Sequence, residues 1–284
     1  LYLAMRYLAG KSIEPIQQII QKTNQITRSN LNERVPLAEP NDEIGQLTRS
    51  INELLERLES ALTREKQFTS DASHELRTPL SVLRGTLEVL IRKPRTSEEY
   101  VEKIKTAFQS IDRMSATIDQ LLALAREEKG KNHVFEELEL ITFLEEIADQ
   151  SSVDLHRKIS FRCESGVPVF VKANEKSLQM ILNNLIQNAV KYSDSGSEIL
   201  VKTGIQHAQP YIEICDEGMG ISQEHLEKIF DPFFREKEVI DRSISGVGLG
   251  LAIVKKLAQE AEILISVSSE KGKGSVFRLD FPIS

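Results

Sequence analysis

The side chain best suited to act as a nucleophile is His74, set in the run Ser73-His74-Glu75-Leu76-Arg77-Thr78-Pro79-Leu80. Neighbouring Glu75 can hold or deprotonate the imidazole, which keeps one ring nitrogen nucleophilic. Thr78 lies one helical turn further on. Pro79, inside a helix, removes the bond to the Glu75 carbonyl at about 3 kcal/mol relative to alanine, and marks a bend point. A lone exposed histidine ordinarily does nothing, so its chemistry needs partners, and three clusters offer them. Asn184 and Asn188 stand four apart with Lys191 and Tyr192 just beyond, which places two neutral amides on one helical face beside a cation. Asp216-Glu217-Gly218-Met219-Gly220 puts a carboxylate at the end of an apolar run, with glycines that admit close backbone approach. Gly246-Val247-Gly248-Leu249-Gly250 opens a helical segment, where clustered backbone N–H groups make an anion site. It is not a Walker loop, because no Gly-Lys-Ser/Thr follows. The preceding Asp241–Ser245 stretch is polar loop, which also excludes a Rossmann turn.

The elements that must position these residues fall into three blocks. In the first, residues 8–60, Ile13, Ile16 and Ile20 follow helical spacing around Pro15, and a polar connector from Asn30 to Asn41 follows. Ile44, Leu47, Ile51, Leu54 and Leu58 then repeat at 3 and 4, a heptad seam suited to a bundled partner. The second block, 61–130, is a helical hairpin. Its first helix carries Leu76, Leu80, Leu83, Leu87 and Leu90, with Ser73, Leu80 and Leu87 at heptad position a. His74 therefore faces outward. Lys93-Pro94-Arg95 breaks the helix, Thr96 and Glu99 form a capping box, and the return helix carries Val101, Ile104, Phe108, Ile111, Ile118 and Leu122. One hairpin cannot bury two seams, so a second copy closing a four-helix bundle is expected. The third block, 131–284, alternates strands with helices and reads as an α/β sandwich: strands at Lys158–Cys163, Val169–Lys172, Ile199–Thr203 and Tyr211–Cys215, helices at Glu175–Tyr192 and Gly250–Glu262, and a closing hairpin of Ile263–Ser268 and Ser275–Phe281.

Composition sets outer limits. The chain has 284 residues, 40% apolar and 28% charged, enough for two or three domains and too apolar for wholesale disorder. Thirty-six basic against 43 acidic residues leave a net charge of −7, so the chain lacks a basic nucleic-acid footprint. Cys163 and Cys215 are far apart and lack metal-ligand spacing, which disfavours a disulfide framework or zinc site. No stretch reaches the roughly 20 apolar residues of a membrane helix. Leu1-Tyr2-Leu3-Ala4-Met5-Arg6 reads equally well as an amphipathic helix start or as the inner end of an apolar helix, with Arg6 and Lys11 as its positive flank.

The Ser73–Leu80 run resembles the phosphoacceptor motif of bacterial sensor histidine kinases. Asn184–Tyr192 resembles that family's N box, Asp216–Gly220 its G1 box, Phe230-Asp231-Pro232-Phe233-Phe234-Arg235 its F box and Gly246–Leu251 its G2 box. Pro15-Ile16 and Asp42-Glu43-x-Gly45 resemble a HAMP module. The resemblance implies a stub of a transmembrane helix at 1–8, a coiled-coil HAMP domain at 9–60, a dimerising phosphotransfer hairpin at 61–130 and a Bergerat-type ATP-binding α/β sandwich at 131–284.

It also implies roles. ATP would lie among Asn184, Asn188, Lys191, Tyr192, Asp216, Gly218, Gly220, Phe230, Arg235, Gly246, Gly248, Leu249 and Gly250. Asn188 would hold Mg²⁺, because a neutral amide oxygen ligates the ion without competing with the phosphate charges, and Asp216 would select the adenine amino group. Many relatives carry Ser or Thr where this chain has Val247, which removes a hydroxyl contact to phosphate and leaves the backbone ones. Glu236–Arg242 would form a lid. His74 would take the γ-phosphoryl group with Glu75 as base and pass it to an aspartate of a response regulator, and Glu75 and Thr78 would support a phosphatase activity. The implied protein is a homodimer on the cytoplasmic side of the bacterial inner membrane. Two other classes compete: a scaffold without ATP turnover, against which Asn188, Asp216 and the glycines speak, and a clamp-type ATPase, against which the His74 hairpin speaks.

Overall fold

The computed structural model describes residues 14, 16–28, 30–36, 42–125, 135–236, 239, 244 and 246–282. The expected membrane stub Leu1–Leu8, together with Ile13, Pro15, Leu37, the Gly130-Lys131-Asn132 break and Arg242, lies outside them. Among the described residues no helix is long and apolar enough to cross a membrane. The chain divides into two compact units, Leu1–Ser73 and His74–Ser284. One 50-residue helix, α2 (Glu43–Arg92), contributes to both.

In the first unit, helix α1 (residues 16–25) and the connector after it pack on the start of α2. Asp42 Oδ1 accepts the Gly45 N–H at 2.6 Å, and Glu43 adds an acidic group to the first turn. Ile19, Leu31, Val35 and Leu55 form the buried core. Asn52 clasps the connector: its Oδ1 accepts the Val35 N–H and its Nδ2 donates to the Val35 carbonyl, each at 2.9 Å. The expected seam is split by this packing. Ile44 and Ile51 lean on the core, whereas Leu47, Leu54 and Leu58 are exposed. Ile16 and Ile20 are likewise exposed and Ile19 is buried in their place. The stripe read from the sequence is thus divided, with Ile16, Ile20, Leu47, Leu54 and Leu58 turned to solvent and Ile44 and Ile51 on the core.

The second unit begins with the hairpin of α2 and α3 (Ser97–Ala125). The capping box forms as expected, with Thr96 N–H donating to Glu99 Oε2 at 3.1 Å and Glu99 N–H to Thr96 Oγ1 at 3.3 Å. Pro79 is buried, while Leu80 is 52% and Phe108 61% exposed. Val101, Ile104, Ile111, Ile118, Leu122 and Leu87 are exposed as well. Ala107, Ser110 and Thr117 are the buried residues of α3, all of them small. Each large side chain left in water forgoes part of the about 1.5–3 kcal/mol that full burial supplies.

The remainder is an α/β sandwich. Strand β1 (Glu136–Glu139) runs antiparallel to β3 (Phe170–Ala173). Helix α4 (Leu140–Leu155) starts where Glu139 accepts the N–H groups of Ile141 and Thr142. The sequence reading found neither β1 nor α4. The main sheet has five strands, β2 (Ile159–Cys163), β4 (Ile199–Gln206), β5 (Gln209–Asp216), β7 (Gly274–Asp280) and β6 (Leu264–Glu270), in that spatial order. Among the described strands only the β2–β4 pair is parallel, and α5 (Glu175–Tyr192) lies on the connection between those strands. Ile199, Val201, Ile212, Ile214, Phe277 and Leu279 face the helices α4, α5 and α6 (Gly250–Glu260). The opposite face carries an ion-paired row: Arg278 meets Glu213 at 2.9 Å and Asp280 at 2.8 Å.

Two cations tie helix ends down. Arg157 donates to the carbonyls of Val190, Ser193, Asp194 and Ser197, closing the C-terminus of α5. Lys256 of α6 donates to the Ala123 and Leu124 carbonyls at 3.1 and 2.8 Å, closing the C-terminus of α3.

Candidate active site

Helix α5 buries Leu178, Ile181, Leu182, Leu185, Ile186 and Ala189 and turns its polar stripe toward the start of α6. Asn174 caps its first turn, accepting the Ser177 N–H at 3.0 Å. The Asn184 amide donates to the Met180 carbonyl at 2.8 Å, which leaves its oxygen toward α6: a Cβ on Gly250 would stand 2.8 Å from Asn184 Oδ1. The Asn188 amide makes no hydrogen bond to the described residues. Among those residues no cluster of three His, Cys, Asp or Glu side chains could hold a metal ion. The two amide oxygens suit a cation such as Mg²⁺, which takes most of its ligands from phosphate and water.

Beside α5 lie two adjoining hollows that share Asn188, Tyr192, Ile229, Phe234 and Leu251. The first is an apolar slot walled by Met219, Ile221, Val239 and Phe277, with the carboxylates of Asp216 and Glu236 in its lining. Asp216 Oδ1 accepts the Gly218 N–H at 2.8 Å. Burial pushes its carboxyl above the ordinary aspartate value, against the opposing backbone hydrogen bonds of Gly218 and Ser275. Gly218 is required because a Cβ there would lie 2.5 Å from the Tyr192 carbonyl oxygen. An apolar slot with the Asp216 carboxylate in its wall suits a flat heterocycle that presents an amino group.

The second hollow is lined by Asn184, Lys191, Gly246, Gly248, Leu249 and Gly250. Gly248 has φ +81°, and a Cβ there would strike the Phe233 backbone, whose N–H donates to the Gly248 carbonyl at 2.9 Å. The Leu249 side chain is buried, so only its backbone is available to a ligand. Backbone N–H groups at the mouth of α6 make this end suited to phosphate. A wider groove between α4 and α5 carries Glu146, Asp149, Asp154 and Glu175 and repels it.

Lys191 sits at the phosphate end, where a Cβ on Gly246 would lie 2.0 Å from its Nζ. Burial, then the charges of Arg235 and Arg113, bring its ammonium down to about 8. Because this value lies below the ordinary one, the unfolded chain binds the extra proton between about 8 and 10.5, and stability rises with pH across that window. A polyphosphate favours the charged form, so binding at pH 8 is expected to draw a proton from solution and to weaken as pH rises further. Calorimetry in buffers of different ionisation enthalpy checks this: wild type takes up protons and Lys191→Met does not. Equal uptake by both would contradict the assignment.

Of the remaining expected site residues, some lie on these walls and others do not. Tyr192, Gly220 and Arg235 line the hollows, but Phe230 does not. Its ring packs toward the core and under Lys255, and neighbouring Ile229 faces the slot instead. Glu236, expected at the start of a solvated lid, is anchored: its side chain is 10% exposed and accepts hydrogen bonds from Ser222. His74 is exposed on α2, and the Thr78 hydroxyl donates to its carbonyl at 3.2 Å, beside the acceptor that Pro79 leaves unused. No hydrogen bond or ion pair joins the His74 ring to Glu75 or to any other described residue. Gln120 of α3, which the sequence reading missed, lines the phosphate end. Its polar side chain on a helical surface carries no local signal of that placement.

Three family models match the chain in succession. They are the HAMP domain over residues 7–60, the His Kinase A (phospho-acceptor) domain over 64–130, and the histidine kinase-, DNA gyrase B- and HSP90-like ATPase over 173–284. Sensor histidine kinase YkoH of Bacillus subtilis is 30% identical over an alignment of 285 positions that covers 99% of this chain and 62% of that protein. Sensor protein CutS of Streptomyces coelicolor is 31% identical over an alignment of 284 positions that covers 97% of this chain and 67% of that one. The crystal structure of full-length ShkA in complex with AMPPNP superposes with a TM-score of 0.57 at 25% identity, covering 76% of this chain and 45% of ShkA. The chain thus spans less than two thirds of the YkoH protein.

Proposed function

Because the chain belongs to the bacterial sensor histidine kinases, we propose that it binds Mg·ATP in the paired hollows, phosphorylates its own His74 and passes the phosphoryl group to a response-regulator aspartate. The observation that carries this reading is the sharing of Asn188 and Tyr192 between the Asp216 slot and the glycine-rich anion end, in the same compact unit as an exposed His74. The AMPPNP held by ShkA gives the nucleotide reading independent support.

Asp216 accepts the adenine amino group, Lys191 and Arg235 neutralise phosphate charge, and the α6 mouth offers backbone N–H groups. Asn188, with Asn184 beside it, would hold Mg²⁺, which would supply charge neutralisation at the phosphates. The His74 nitrogen attacks the γ-phosphorus in line, an N–P bond forms, the P–O bond to ADP breaks, and Glu75 accepts the imidazole proton. Little covalent work falls to the protein beyond positioning and charge.

The exposed stripes on α2 and α3 favour a homodimer in which two hairpins close a four-helix bundle. The domains are a HAMP module at 9–60, the hairpin at 61–130 and the ATP-binding domain at 131–284, with the protein attached to the cytoplasmic face of the membrane through an N-terminal helix. Thr78, exposed one turn from His74, supports a phosphatase activity toward the phosphorylated regulator.

Incubation with γ-labelled Mg·ATP is expected to give an acid-labile, alkali-stable label that leaves the kinase when a cognate receiver domain is added. A label that resists acid, or none at all, would contradict the kinase reading. Thr78→Ala is expected to slow loss of phosphate from the receiver while leaving the kinase label intact, and an unchanged rate would remove the phosphatase reading.

A further inference from the structure

One cluster beside the nucleotide hollows has no part in the chemistry above. Glu236 follows Arg235 directly, and its Oε1 meets three donors on one short segment: the Ser222 N–H at 3.2 Å, the Ser222 hydroxyl at 3.0 Å and His225 Nδ1 at 2.9 Å. Ser222 precedes the single turn Gln223–His225 and makes no side-chain capping bond to it; its hydroxyl lies 3.0 Å from Glu236 Oε1 and 2.9 Å from His225 Nδ1, so the three groups form one closed cluster. A carboxylate next to Nδ1 requires that nitrogen to carry the proton, whether the ring is neutral or charged. The His225 ring also lies 5.3 Å from the Phe234 ring, tilted by 58°. Phe234, Arg235 and Glu236 therefore form one strip, pinned at its end by a mostly buried carboxylate that the Ser222 and His225 donors satisfy.

That strip is a wall of the slot. Arg235 donates to the Ile244 carbonyl through Nη2, while its Nε is buried with no partner among the described residues. The guanidinium is thus held at one corner and keeps a donor in reserve next to Lys191, whose charge it already opposes.

We propose that Glu236, clasped by Ser222 and His225, is a positioning residue for nucleotide binding: it fixes the Phe234–Arg235 wall so that Arg235 meets phosphate and Phe234 meets the base. This rests on the ATP reading above. Neither Glu236 nor His225 touches the reacting atoms, so their loss acts on the affinity for ATP and not on the rate of phosphoryl transfer once ATP is bound.

The test compares full-length wild type with Glu236→Ala, His225→Ala and His225→Asn, whose amide N–H can replace Nδ1–H. Mg·ATP affinity by calorimetry, thermal unfolding and initial autophosphorylation rates across ATP concentrations are measured on each. Glu236→Ala and His225→Ala are expected to raise Kd and KM by about tenfold with kcat within about twofold, and His225→Asn to stay within about threefold of wild type throughout. Wild-type ATP affinity in the two alanine variants would overturn the proposal, as would a fall in kcat at unchanged KM. Should Glu236→Ala fail to fold, the contrast between His225→Ala and His225→Asn decides alone, and equal behaviour of those two overturns the proposal. A wild type that binds no ATP removes the nucleotide reading itself and this proposal with it.

Discussion

Exchange of His74 for Gln is expected to leave a folded, nucleotide-binding chain that takes no phosphoryl group from ATP. The side chain stands exposed on α2, makes no hydrogen bond to the described residues, and is replaced by a good helix former. Thermal stability and ATP affinity should therefore match wild type. The amide offers no nucleophilic nitrogen, so labelling should fall by at least about 100-fold, to background. Glu75→Gln should still accumulate label with time, at an initial rate lowered by roughly 100-fold, because removing a general base slows transfer without abolishing the nucleophile. Label retained by His74→Gln would place the acceptor elsewhere and dissolve the role given to the hairpin.

The second large effect is expected at Asp216. Burial raises its carboxyl above the ordinary aspartate value, so the ionised form is disfavoured in the nucleotide-free fold. The sign for stability follows: above both values the charge weakens the fold, and the penalty is relieved as acid protonates the group. Asp216→Asn keeps an oxygen for the Gly218 N–H and removes the buried charge. Its unfolding temperature should equal or exceed that of wild type, while ATP affinity falls. Losing a charge-assisted hydrogen bond of about 1.5–3 kcal/mol corresponds to a roughly 10- to 100-fold weaker Kd. Wild-type affinity should also decline on acidification at a higher pH than an ordinary aspartate would give. A destabilised Asp216→Asn that binds ATP normally would mean that the carboxylate serves the fold and not the nucleotide.

Much of this architecture is legible because helical periodicity and caps are local. The bounds of α5, the Thr96–Glu99 box and the outward placement of His74 all follow from residues within a turn or two of one another. Strand β1 escaped because Glu136-Glu137-Leu138-Glu139 has no apolar alternation and is ordered by pairing with β3, more than 30 residues away in sequence. Helix α4 has the right spacing, Leu140, Phe143, Leu144, Ile147 and Ala148, but Glu139 is not among the residue types that usually announce a cap.

The site shows the same division. Asn188, Lys191, Asp216 and the glycines lie in compact motifs, whereas the short turn Lys228–Phe230 presents Ile229 and not Phe230 to the slot. Glu236 is read as lid when only its charged neighbours are considered, and its partners stand 11 and 14 positions back. Gln120 reaches the phosphate end from another element altogether. A single heptad period likewise does not separate the buried Ile19 face from the exposed Ile16 and Ile20 face, since both repeat at helical spacing.

Localising the phosphoryl group within the wild-type chain is the most direct test of the central claim. After incubation with Mg·ATP, tandem mass spectrometry kept at neutral or alkaline pH is predicted to find it on the His74 imidazole. A phosphoryl group on any other residue, or ATP hydrolysis that leaves His74 unmodified, would contradict it.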